Sequence, residues 1–215
     1  MMKAIETLAL GVGMAISVPA LALAQVANFD GWADHDGAAP GQYAPGVTYE
    51  AYTTLLPPGP GDDPSWYPFN ADFFEYTLVI QGTVSSFTPG FVTLAGFSSV
   101  TFTVYEDDAT AADYANKATL TDGAAILSGE ISDMLAMHVT GQSFYTVSGQ
   151  AHMTGGSGLG QLSCTTLLLN DFIQFTGPPP INPPVGYEEG YDPQWTCTPV
   201  PVEETNWGRV KSLYR

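Results

Sequence analysis

Apolar and polar positions alternate with a period of two over much of this chain, and that period predicts strands rather than helices. The segment 74–84, FEYTLVIQGTV, sets Phe74, Tyr76, Leu78 and Ile80 on one face against Glu75, Thr77 and Gln81 on the other, as expected of a half-buried strand. Residues 90–105, GFVTLAGFSSVTFTVY, repeat the pattern, with Val100, Phe102 and Val104 opposite Thr101, Thr103 and Tyr105. VTYEAYTT (47–54), AAILSGEIS (124–132), MLAMHVTGQSFYTVSGQAHM (134–153) and QLSCTTLLLNDFIQF (161–175) are rich in β-branched, aromatic and Thr residues with Gly punctuation. Six or more short strands predict an all-β fold, namely an antiparallel β-sandwich of jelly-roll type. The Ala-rich stretch DATAADYANKA (108–118) is the one exception, with the propensity for a single helical turn. No repeat of fixed length emerges, which argues against a solenoid or a propeller.

The flanks read differently. Residues 1–24 carry Lys3, an apolar run over 8–22 and the small-residue site Ala22-Leu23-Ala24, which together predict a secretory signal peptide cleaved after Ala24. A secreted, periplasmic or cell-surface location follows, and no other segment is apolar for long enough to cross a bilayer as a helix. Residues 25–46 are turn-rich and predict an irregular N-terminal arm, or else an edge strand, before the sandwich domain at 47–176. Residues 177–205 include GPPPINPPVGYEEGYDPQWTCTPVPV and predict an extended Pro-rich wrap. The last ten residues, 206–215, form a basic tail in which Trp207, Val210, Lys211 and Tyr214 share helical spacing beside Arg209 and Arg215. Trp207, Arg209, Lys211 and Arg215 are the candidates for sorting or docking.

Charge narrows the partners. Five Lys and Arg face 22 Asp and Glu, a net charge of −17, and cleavage after Ala24 removes one charge of each sign, Lys3 and Glu6. Phosphate recognition needs clustered cations, so nucleic acid and anionic lipid are excluded as natural partners. An acidic surface suits solubility and the attraction of cations. In an oxidising compartment Cys164 and Cys197 are expected to form a disulfide, contributing about 3 kcal/mol by closing a loop of roughly 30 residues.

Candidate chemistry is sparse. In YEDDATAADYANKATLTDG, Asp107, Asp108, Asp113 and Asp122 offer the hard oxygens that calcium takes, although their spacing is not that of an EF-hand loop. The alternative is a solvated acidic turn. Glycoside hydrolysis needs carboxylates facing each other across a cleft, whereas Glu106, Asp107 and Asp108 are consecutive, and Glu75 and Glu130 stand alone on solvent-facing strand positions. GGSGLG (155–160) matches neither a nucleophile elbow nor a phosphate cradle and reads as a hairpin connection. His35, His138 and His152 are scattered, the last two expected to point outward, and they form no zinc motif. Trp66, Tyr67, Trp32 and Trp195 lie in segments read as Pro/Gly loops, where flat rings either cover the ends of the sandwich or stack on the sugars of a polysaccharide. The sequence therefore predicts an exported non-enzymatic module, structural or ligand-binding, whose partner is a polysaccharide or another surface protein. The alternative is calcium-assisted carbohydrate binding, with a glycoside hydrolase a distant third.

Overall fold

The computed structural model describes residues 25–36, 42–57, 74–161, 166–174 and 182–197. Eight strands succeed one another: β1 (Gln25–Asp34), β2 (Thr48–Leu55), β3 (Glu75–Thr88), β4 (Val92–Asp107), β5 (Ala124–Val139), β6 (Phe144–Gly155), β7 (Thr166–Gln174) and β8 (Glu189–Cys197). Each pairs antiparallel with the next, and β8 returns to β1, so the sheet closes into an eight-stranded barrel.

The barrel corrects the sandwich expectation, and the cause lies in two segments. Part of the segment read as an irregular arm or an edge strand forms β1, paired on both sides rather than at an edge, and part of the expected Pro-rich wrap forms β8. Without those two strands the remaining six make an open sheet that must fold over to cover its apolar face; with them the sheet closes on itself and needs no second layer. Pro193 is accommodated because the β1–β8 ladder pairs Asn28 with Gln194 and Gly31 with Tyr191 and lapses between, where a proline has no N–H to donate.

The two faces of the strands sort by polarity. Tyr76, Leu78, Ile80 and Val84 of β3, Val100, Phe102 and Val104 of β4, and Phe29, Tyr191 and Trp195 of the closing strands fill the interior, as the period of two requires. An eight-stranded barrel is just wide enough for side chains to fill it. Phe102 and Phe29 pack on the Trp195 ring with centroids 4.9 and 5.7 Å apart. Gln81, Thr101, Glu130, Ser148 and Gln150 face outward and are exposed, the reverse of the apolar-out pattern of a barrel wall facing lipid. Among the described residues no helix is long and apolar enough to cross a membrane.

Parity changes within β5. Its pairing with β6 shifts by one residue between Ser132 and Leu135, and Asp133 sits at φ 54° in the left-handed region. Beyond this bulge, Met134 and Ala136 face inward while Leu135 and Met137 are exposed. His138 consequently points inward too, packing on buried Tyr145 with ring centroids 5.1 Å apart, and not outward as the alternation of Leu135, Met137 and Val139 suggests.

Candidate functional site

The acidic segment after β4 is a strap. Residues 108–123 run back over the outer wall of β1, β2 and β3, and the 3-10 turn Lys117–Leu120 drops Leu120 into a pocket between Tyr52, Val79 and Tyr187. Tyr114 donates its hydroxyl to the carbonyl of Asp30 at 3.0 Å. Lys117 reaches the Asp34 carboxylate at 2.6 Å and Glu50 at 3.8 Å, with its ammonium 5.2 and 4.9 Å from the ring centres of Tyr52 and Tyr187. Burial raises Asp34's pKa, but the bond from Lys117, the backbone N–H of Asp36 and the charge of Lys117 together outweigh it and leave that carboxyl below the usual range.

The expected calcium ligands use their oxygens locally. Asp107 accepts from the backbone N–H groups of Ala109 and Thr110 at 2.9 and 3.2 Å, and these bonds lower its pKa. Asp113 accepts from Ala115 N–H at 2.9 Å, while Asp108 and Asp122 are exposed. Among the described residues no three His, Cys, Asp or Glu are grouped to hold a metal ion, because turn-forming carboxylates are aimed at their own backbone.

Of the expected stacking residues, only Trp32 and Trp195 lie among the described residues. Trp195 is buried inside the barrel, Trp32 is half-buried against the strap cluster, and Trp66 and Tyr67 lie outside the described residues. So do the expected signal segment, Cys164 with its expected disulfide, and the tail with Trp207, Arg209, Lys211 and Arg215. The structure therefore gives no support to the disulfide, calcium or carbohydrate expectations.

One end of the interior is polar. Glu189 and His35 both have no exposed surface; Tyr43 donates its hydroxyl to Glu189 Oε2 at 2.7 Å, and His35 Nε2 lies 3.4 Å from Oε1, an ion-pair distance rather than a well-formed hydrogen bond. Burial alone would lower the His35 pKa, but its interactions with Glu189 and the charge of Glu188 outweigh it and raise the value. Burial, helped by the charge of Glu189, pushes the Tyr145 phenol up to about 12. Aromatic rings surround the cluster: Tyr43 lies 5.3 Å from Tyr145 and 5.8 Å from Phe97, centroid to centroid. This arrangement seats the loop residue Tyr43 inside the barrel, where it is buried among these groups.

The outer wall carries a groove of about 400 Å3 lined by Ser99, Val100, Thr101, Glu130, Ile131, Ser132 and His152. Two bulges shape it. β4 holds an extra residue against β3 at Ser99, whose φ is 53°, and β5 holds one against β6 at Asp133. The two disturbances are neighbours, since β4 and β5 pair at Gly96–Leu135 and at Val100–Ile131 but not between. A non-glycine residue with left-handed φ is uncommon and strained, and such positions gather at functional sites. Below the bulges, Ser132 Oγ lies 3.0 Å from His152 Nε2, and Thr166 Oγ1 lies 3.4 Å from His152 Nδ1. Glu130 stands directly across from His152 in the β5–β6 register, so a carboxylate, an imidazole and a hydroxyl share one wall.

Reading the sequence found His152 outward, as it is, and took Glu130 for an isolated solvent-facing residue. The missed signal was the break in alternation at Ile131-Ser132-Asp133-Met134, where two apolar residues three apart enclose a polar pair. No family model, curated protein or solved structure matches this chain.

Proposed function

We propose that this chain is an exported barrel that binds a small polar ligand in the groove between Ser99 and His152. The observation that carries this reading is the packing of the described interior: aromatic rings fill it from Trp195 to Tyr43, so recognition falls to the outer wall, where two strained bulges bracket the groove. Groups of mixed character line it, a carboxylate, an imidazole and several hydroxyls, and these suit an uncharged or weakly cationic ligand with its own donors. Export rests on the leader pattern of residues 1–24, and docking of the 206–215 tail on its basic charge against an acidic body.

The test is a fragment screen of the mature chain followed by NMR of the imidazole resonances. Expected hits shift His152, and Glu130→Ala weakens them at least tenfold. Hits that bind as well to Glu130→Ala and leave His152 unmoved place recognition elsewhere and end the reading. Cell fractionation with and without residues 1–24 checks export, and deletion of 206–215 checks docking.

A further inference from the structure

We infer that Ser132 is a nucleophile activated by His152, and that the groove takes an ester or another activated acyl compound. This rests on the reading of the groove as a binding site and narrows its ligand to a chemical class.

Ser132 Oγ and His152 Nε2 are 3.0 Å apart, within the reach at which a base removes a hydroxyl proton. For Nε2 to accept, the ring proton must sit on Nδ1, and the group facing Nδ1 is the Thr166 hydroxyl at 3.4 Å. That hydroxyl can accept the proton and hold the ring in this tautomer. Glu130, opposite His152 in the ladder, supplies negative charge beside the imidazolium that forms.

Position favours reaction at Ser132 over other hydroxyls of the wall. Its neighbour Asp133 is the left-handed residue of the β5 bulge, and bulges re-aim side chains out of the regular pleat. Ser132 faces the groove of about 400 Å3, so an acyl group has room beside Oγ. Ser148, by contrast, pairs with Leu135 on the far side of the bulge, is not among the residues lining the groove and has no histidine partner among the described contacts.

The chemistry balances with water as co-reactant. Ser132 Oγ attacks the ester carbonyl carbon while His152 Nε2 takes the hydroxyl proton. The bond from that carbon to the alcohol oxygen breaks, and the leaving alkoxide takes the proton back from His152. Water then attacks the acyl-Ser132 ester, again giving a proton to Nε2. The carboxylic acid leaves, and the proton returns to Ser132.

The mature chain is incubated with p-nitrophenyl acetate, with p-nitrophenolate release followed by absorbance and the acetylated residue located by peptide mass spectrometry. The expected result is acetylation at Ser132 with release faster than in buffer. Ser132→Ala and His152→Gln should each lower the rate about 100-fold, while Thr154→Ala, on an exposed site outside the groove, leaves it unchanged. Melting curves of all variants show whether a loss reflects unfolding; should His152→Gln fail to fold, Ser132→Ala with mass mapping decides alone. Release no faster than buffer, or acetyl groups on lysine or tyrosine with no change in Ser132→Ala, overturns the inference. In that event, fragment hits that still shift His152 preserve the binding reading, and their absence ends both.

Discussion

Whether apolar packing or the ion pair holds the strap on the barrel can be decided by two substitutions. Leu120 is fully buried among Tyr52, Val79 and Tyr187. Leu120→Ala removes three carbons, about 2.4 kcal/mol at ~0.8 kcal/mol per buried CH2. The cavity left behind adds to that, but the strap can settle toward the wall, so the expected loss is about 2–3 kcal/mol, at the lower end for buried leucines. For a chain of this size that is a fall in Tm of about 4–12 °C. Lys117 is 36% exposed and its partner Asp34 22%, so solvent screens the pair. Such a pair contributes about 0–1 kcal/mol, and the rings of Tyr52 and Tyr187 add about 0.5–1 kcal/mol. Lys117→Met should therefore lose about 0.5–2 kcal/mol, and less in molar salt because the Debye length shrinks to about 3 Å. Urea unfolding of both variants at low and high salt measures the two losses, and amide exchange over 108–123 shows whether the strap itself has loosened. A Lys117→Met loss equal to or larger than that of Leu120→Ala at low salt would refute the argument that apolar burial dominates.

Further outcomes follow from the polar end of the interior and from one tight approach. His35 has a raised folded pKa, so its contribution is complete below the unfolded value near 6.5 and is lost as pH rises through the folded value; thermal melts between pH 6 and 9 should show stability falling, and His35→Gln should flatten that slope. The groups facing it are Glu188, Glu189 and the Tyr43 phenol; an unchanged slope in His35→Gln would assign the dependence elsewhere. Glu189→Ala leaves the Tyr43 hydroxyl without its buried acceptor and His35 without its ion partner, a loss of about 3–5 kcal/mol in urea unfolding, whereas Glu189→Gln keeps an acceptor for Tyr43 and should lose less. A Cβ on Gly129 would run into the His152 carbonyl and the Phe102 ring. Gly129→Ala should accordingly lose about 3 kcal/mol or more, read as a lower urea midpoint.

The six central strands were legible because each buries an apolar face, and alternation such as Val100-Thr101-Phe102-Thr103-Val104 records that directly. β1 was legible only as an arm or an edge strand, and β8 not at all, for local reasons. The inward positions of β1 include Ala27, Gly31 and Ala33, too small to announce a core, and β8 puts Glu189 and Pro193 on the inner side. A proline inside a strand and a glutamate inside a barrel both argue against the assignment on sequence alone; they are permitted by a lapse in the ladder and by the Tyr43 and His35 partners. The groove depends on residues from three adjacent strands meeting at two bulges, and that register is a property of pairing, invisible along one strand. Ser132 thus looked ordinary until His152 was placed beside it.

Closure of the barrel has a consequence for assembly. Seven of the eight pairings join strands adjacent in sequence, and the eighth joins the first to the last, with Gln25 opposite Thr196. The meander can therefore grow hairpin by hairpin as the chain emerges, but its seam waits for the final strand. Until then β1 and β7 both present unpaired edges, the condition under which sheets recruit strands from other molecules. Chains cut before residue 189 should collect as aggregates. Conversely, a short linker bridging the adjacent ends of β1 and β8, with new termini opened at the exposed turn around Gly141, should give a permuted chain in which the seam forms early.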